Sequence, residues 1–162
     1  PAYLGKMHYT HVLLMPLLAT REEASLGYLT SAYFTLSTKL GAAAGFRKLV
    51  NALHSAGIGV LMDWSCVRFP REEAGLDYFD GSTLYEENGS GDTAVFRFGR
   101  AEVQSFLFSN LCFLANEFHI DGVRVIDMAS ALWYRANENR NCYGGGEPGR
   151  CVLPAPSELD GA

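Results

Sequence analysis

"DGVRVIDMAS", residues 121–130, holds a short apolar run with charges at chosen places, and its reading decides the fold. Successive side chains of a strand point to opposite faces, so Val123 and Val125 share one face while Arg124 and Ile126 share the other. Asp127 falls one residue further, turned away from Arg124 if the strand is regular. Upstream the period changes. Between Ala101 and Phe118, the residues Val103, Phe106, Leu107, Asn110, Leu111 and Leu114 fall along one helical face. The same order of parts occurs earlier in the chain. Phe46, Leu49, Val50 and Leu53 mark a helix that starts near Ala42 and stops at Gly57, and "IGVLMDW", residues 58–64, follows as an apolar strand. Its first charge, Asp63, arrives at the C-terminal end. Two helix-to-strand units in this order predict an α/β fold with a parallel sheet, because parallel strands need long crossovers and helices to cover them. Polar groups at the carboxyl ends of such strands are where these folds build sites.

Working outward, "THVLLM", residues 10–15, reads as a strand buried on both faces and ends at Pro16. The polar stretch "ATREEAS" is a loop, and "GYLTSAYFTLSTKLG" predicts a short strand or extended segment around Ala32 to Thr35. The segment from Phe69 to Phe98 is too long for an ordinary connection, so it carries function or a small subdomain, or is a tolerated surface insertion. From Asn137 onward the sequence is rich in Gly and Pro without an apolar period, which predicts loop or disorder. Its glycines do not follow a strand and open a helix, so no phosphate-binding loop is expected. The expected division is a folded part over 1–136, with a long inserted loop region at 66–99, and a tail over 137–162.

A chain of 162 residues suits one domain with a real core, yet it is short of the roughly 250 residues of a complete eight-stranded α/β barrel. The formal charge of -5, with both signs interspersed, leaves no basic stripe for nucleic acid. No apolar run approaches the roughly 18 residues of a membrane span, and the N-terminus lacks the succession of a secretory signal, so the expected location is the cytoplasm. Cys66, Cys112, Cys142 and Cys151 form no CxxC pair, so reduced thiols and no metal site are expected, although Cys142 and Cys151 could bridge in an oxidising compartment. His8 and His11, three apart on an extended segment, point to opposite faces and are better read as surface or core histidines than as ligands. Asn88-Gly89-Ser90 matches a glycosylation acceptor and, more simply, a tight turn.

Taken in order and spacing, "YTHVLLMPL", "GYLTSAYF", "FRKLVNALHSAGIGVLMDW", "FDGSTLYEE", "FRFGRAEVQSFLFSNLCFLANEFHIDGVRV" and "NCYGGGE" resemble the catalytic domain of glycogen (1,4-α-glucan) branching enzymes, of the α-amylase superfamily. The resemblance runs from about Tyr9 to Glu147. It implies a partial (β/α)8 TIM barrel, roughly its first half, with strands one to four and the excursion after strand three. It also implies transfer of α-1,4 glucan chains to a 6-hydroxyl by a retaining mechanism, in which one carboxylate forms a covalent glycosyl intermediate and a second carboxyl works as acid, then base. No cofactor is implied, and the implied partner is an α-glucan. Arg124 matches the arginine two residues before the nucleophile, where a fixed guanidinium keeps a carboxylate ionised and oriented. Asp63 matches the aspartate that ends strand three, and Tyr28 matches the tyrosine whose ring meets a sugar. Taken alone, Arg124 could instead form a structural ion pair with Asp63 or Asp121, Asp63 could cap a loop, and Tyr28 could belong to the core.

The chain departs from that pattern where it matters most. The nucleophile's position is Ile126, and Asp127 could serve only if a bulge at Ile126 re-aimed it. Arg68 stands where the family has a sugar-binding histidine, and Leu26 stands for a usual tryptophan; a charged fork does not replace a neutral imidazole. The acid/base glutamate and a later histidine-aspartate pair would lie beyond this chain, and neither Glu147 nor Glu158 takes that role. Two expectations stay open: a branching enzyme represented by part of its barrel, or a catalytically silent half-barrel that binds glucan weakly at most. An open half-barrel would expose strand edges and apolar surface, which predicts self-association.

Overall fold

The computed structural model describes residues 1–72, 75–86 and 91–127. The expected tail, the Asn88 triplet, Cys142, Cys151, Glu147 and Glu158 lie outside the described residues. Helix α1 (Ala2–Lys6) leads into strand β1 (His11–Leu14), and a small pair follows, β2 (Leu18–Ala19) with β3 (Ala32–Leu36). Helix α2 (Ala42–His54) precedes β4 (Gly59–Ser65), and β5 (Arg68–Pro70) and β6 (Thr93–Val95) bracket the excursion. Helix α3 (Ala101–Phe118) then delivers β7 (Gly122–Ile126).

Strands β1, β4 and β7 form a three-stranded parallel sheet in that order, with β4 at the centre. The two helix-to-strand units read from the sequence are α2–β4 and α3–β7. The short extended stretch expected around Ala32 to Thr35 does not join them. β3 pairs antiparallel with β2, so the described residues contribute three parallel strands rather than four. The reason lies in the connection. A parallel return needs a crossover, usually a helix, whereas between β1 and β3 the chain has only β2 and one 3-10 turn at Glu23–Ser25. The excursion carries structure that the sequence did not announce, since β5 and β6 form an antiparallel pair with Phe69 opposite Ala94.

The sheet has two unlike faces. On the helix side, Val60, Met62 and Trp64 of β4 are buried in one core with Phe46, Val50 and Leu53 of α2 and Val103, Leu107 and Leu114 of α3. Val12 and Leu14 of β1 and Val123 and Val125 of β7 pack against it. Leu49, expected on the buried face of α2, is 40% exposed and lines an open groove with Leu14, Leu17 and Leu40. A buried polar bridge ties the layers: Trp64 Nε1 donates to Asn110 Oδ1 at 2.7 Å, and Asn110 Nδ2 donates to the Tyr33 carbonyl. On the other face, which the expected barrel would turn inward, stand Leu13, Leu61, Asp63, Arg124 and Ile126. At its β1 edge, Leu13 is 44% and Met15 47% exposed.

Candidate functional site

The site forms at the carboxyl ends of β4 and β7, on the inner face. The register places Asp63 directly beside Arg124, and both project from the same side of the pleat. Arg124 Nε donates to Asp63 Oδ1 at 2.6 Å and Nη2 donates to Oδ2 at 2.7 Å, a two-point fork. Tyr28 completes the group, its hydroxyl donating to Asp63 Oδ2 at 2.6 Å.

Burial differs sharply within the ion pair. The Asp63 side chain is 2% exposed and that of Arg124 58%. A carboxylate so enclosed stays charged only with partners. The Arg124 fork, working against desolvation and helped by the Tyr28 hydroxyl, holds the Asp63 carboxyl below the usual carboxylate range. The same contacts push the other two groups up: the hydrogen bond to Asp63 raises Tyr28 above the ordinary tyrosine value and raises Arg124 further. At neutral pH the group is therefore a carboxylate, a guanidinium and an intact phenol. Of the partners that sequence left open for Arg124, the structure selects Asp63. Asp121 is engaged at the opposite end of the strands, where its Oδ2 accepts from the Val60 backbone N–H at 2.7 Å and lies 2.8 Å from His54 Nε2.

Tyr28 reaches the sheet on the loop between β2 and β3. The loop turns through two left-handed residues, Leu26 at φ 53° and Gly27 at φ 90°. At Gly27 a Cβ would lie 2.6 Å from the Pro16 carbonyl oxygen, so only glycine lets the loop approach β1 this closely. Leu26, in the place of the usual tryptophan, is 64% exposed.

The β4–β7 ladder runs without a shift from Leu61 opposite Gly122 to Ser65 opposite Ile126. No bulge occurs at Ile126, so its half-buried side chain lies on the face that carries Arg124. Asp127 follows the last paired residue at φ 58° and is exposed. The bulge on which a catalytic Asp127 depended is absent, because β7 keeps regular register with the central strand to its end. The Asp127 charge is felt instead by Cys66, whose thiol is pushed up to about 11, first by burial and then by that neighbouring charge. Arg68 is not brought into the Tyr28–Asp63–Arg124 group: it opens β5, its side chain is exposed, and it forms no ion pair among the described residues. Cys66 and Cys112 are free thiols, no group of three or more candidate metal ligands occurs among the described residues, and no described helix is long and apolar enough to cross a membrane.

Sequence reasoning passed over one polar pair beside the site. Ser31 and Glu72 are joined at 2.8 Å behind the Tyr28 loop, and nothing in "PREEAG" or "LTSAYF" marks them as a pair.

No family model matches the chain. It is 40% identical over 159 residues to the 1,4-alpha-glucan branching enzyme GlgB 1 of Clostridium perfringens (strain 13 / Type A), covering 91% of this chain and 24% of that protein. Among solved structures it is similar to the noncanonic maltogenic α-amylase AmyB of Thermotoga neapolitana, with a TM-score of 0.65 at 21% identity, covering 85% of this chain and 36% of that one. It is likewise similar to the α-amylase of Geobacillus thermoleovorans complexed with acarbose, with a TM-score of 0.69 at 15% identity over 77% of this chain and 32% of that one. At such identities the two structures speak for the fold alone. The chain spans about a quarter of the length of the curated relatives it matches.

Proposed function

We propose that this chain, which corresponds to part of the catalytic barrel of the 1,4-α-glucan branching enzymes and has the α-amylase barrel fold, forms one wall of a glucan-binding cleft and performs no chain transfer on its own. The observation that carries the reading is the inner face of β4 and β7. It holds a charged, hydrogen-bonding group suited to sugar hydroxyls, Tyr28 with Asp63 and Arg124, and then presents Ile126 where a retaining mechanism needs a carboxylate.

Each residue has a role on this reading. Asp63 anchors the group from below, and its buried charge fixes the guanidinium and the phenol. Arg124 keeps part of its fork toward solvent, where it donates to sugar oxygens. Tyr28 adds a flat ring and a hydroxyl. Ile126 offers an aliphatic contact and no electron pair, so no covalent glycosyl carrier forms. Arg68 stands outside the group and offers a second, exposed donor only if a long glucan reaches it. We place the chain in the cytoplasm and expect it to need no cofactor. Residues 1–136 form the barrel part and 66–99 its insertion.

The test pairs binding with chemistry. Calorimetric titration with maltoheptaose should register binding that Tyr28→Ala removes, while the iodine absorbance of amylose stays unchanged on prolonged incubation. Loss of iodine colour with the purified chain would contradict the silent site. If Asp127→Asn then abolished that activity, the nucleophile would have been misassigned to position 126.

A second reading is favoured by the surface beside the site. Leu13 and Met15 are each more than two-fifths exposed on the inner face, and β1 and β7 are the edges of the described sheet. Apolar area next to open strand edges favours association of one copy with another. Sedimentation should show species larger than the monomer, and a monodisperse monomer that melts cooperatively would count against it.

A further inference from the structure

We infer that Glu72, at the root of the excursion, is a positioning residue for Tyr28, holding the 20–31 loop so that the phenol meets Asp63. The inference rests on the glucan-binding reading for its ligand and on geometry for everything else.

The loop has little internal structure of its own. Thr20 Oγ1 donates to the Leu29 carbonyl at 2.7 Å, Ser25 Oγ donates to the Glu22 carbonyl at 2.7 Å, and the Tyr28 N–H donates to the Ser25 carbonyl at 3.0 Å. These ties close the loop on itself without fixing it to the rest of the molecule. Contacts at several points do that. Glu23 pairs with Lys39, the Ser31 N–H donates to the Ala19 carbonyl at 3.0 Å, Gly27 lies close against the Pro16 carbonyl, the Tyr28 hydroxyl reaches Asp63, and Glu72 holds Ser31 and Arg21.

Glu72 grips the loop at both of its ends. Ser31 Oγ donates its proton to Glu72 Oε1 at 2.8 Å, which leaves the hydroxyl lone pairs to accept the Arg21 backbone N–H at 3.1 Å. Arg21 Nε lies 3.4 Å from Glu72 Oε2. With a side chain only 14% exposed, Glu72 is an enclosed anion whose bonds to the loop are charge-assisted. Replace the carboxylate, and the hydroxyl can turn elsewhere while the Arg21 side chain, 67% exposed, is released to solvent.

The base of this grip is itself anchored. The preceding residue, Arg71, pairs with Glu86 and, at 3.3 Å, with Asp77, and its backbone N–H donates to the Asp92 carbonyl at 2.9 Å. Glu72 thus couples the folded root of the excursion to the loop that carries the sugar-facing phenol. Without it, Tyr28 would sample positions away from Asp63.

The test reads Tyr28 directly and needs no sugar. In the full chain with ring-labelled tyrosine, the Tyr28 carbon-13 signal, assigned by Tyr28→Phe, is titrated with alkali. In the wild-type protein its midpoint should lie above the ordinary 10.0, because the hydroxyl is held by Asp63. Glu72→Ala should return it toward that ordinary value, whereas Glu72→Gln, which keeps an oxygen to accept from Ser31, should leave it raised. Ser31→Ala should act like Glu72→Ala and decides the matter if the latter does not fold. The two alanine variants titrated with maltoheptaose should show a dissociation constant raised on the order of fivefold, the low end of coupling between separate sites, while Glu72→Gln should bind as the wild type does. A Tyr28 midpoint unchanged in both alanine variants, or not raised in the wild type, overturns the inference. A midpoint that responds as stated in a chain that never binds maltoheptaose upholds the positioning role and sinks the glucan reading instead.

Discussion

The two faces of the parallel sheet are made by the same three strands and obey different rules. On the helix side, Val60 and Met62 have no exposed surface and Trp64 is 5% exposed, and the Asn110 amide there is fully buried and bonded on both sides. On the inner side, leucine and methionine stand in solvent and the buried group is an aspartate held by an arginine. Alternation of side chains along each strand separates the two. The helix face supplies the stability; the inner face spends some of it on keeping a charge buried beside an exposed guanidinium.

Substitutions should sort by face, and the largest losses belong to the helix side. Met62→Ala opens a cavity in a packed core and should cost about 3 kcal/mol in urea unfolding. Asn110→Ala, which leaves the Trp64 N–H and the Tyr33 carbonyl without partners, should cost about 2–3 kcal/mol. A loss below about 1 kcal/mol in either would mean that the core does not lie on this side.

Arg124→Ala comes next. Stripping a buried carboxylate of its fork is costly when both partners are enclosed, but the arginine here is more than half exposed and Tyr28 remains, so a loss smaller than that of Met62→Ala is expected in the same urea unfolding. The same pair fixes the acid limb of stability. The folded pKa of Asp63 lies below its unfolded value of about 3.8, so its contribution is complete above that value and is lost as pH falls through the folded pKa. Asp121 is lowered too, first by the Val60 N–H and then by His54, and adds to the same limb. Urea midpoints measured from pH 6 to pH 2.5 should therefore decline most steeply below about pH 4, and Asp63→Asn should flatten that decline. A decline as steep in Asp63→Asn as in the wild type would mean that the buried carboxylate is not the source.

The smallest effect on folding belongs to the exposed rim. Leu13→Gln should change stability by no more than about 0.5 kcal/mol, yet it should reduce association in sedimentation, since it breaks the apolar strip beside the open edge. A loss as large as that of Met62→Ala would erase the distinction between the faces.

How much of this was legible in the residues follows from which forces are local. Helices α2 and α3 were readable because their apolar spacing matches the helical period, and "IGVLMDW" and "GVRVI" were readable as strands because they are short apolar runs ending in charge. The partner of Ala32–Leu36 was not. Its residues favour an extended chain, but only the lack of a crossover before it makes the pairing antiparallel, and β2 is too short to announce itself. The Leu49 position likewise satisfies the period of α2, yet the fold sets it at the rim of a groove rather than in the core. For the site, residue types and alternation placed Arg124 and Ile126 on one face, and register, which no local pattern encodes, chose Asp63 over Asp121. Glu72 and Ser31, far apart in sequence and ordinary in type, gave no signal at all.

On the proposed reading, the inner face recognises a glucan and lacks the carboxylate to cut it. The most direct measurement mixes the purified chain with amylose and maltoheptaose and follows binding by calorimetry and chain transfer by iodine absorbance in the same samples. The account predicts heat of binding that disappears in Tyr28→Ala and an iodine signal that never moves; an iodine signal that falls in the wild type and is restored by Asp127→Asn would contradict it.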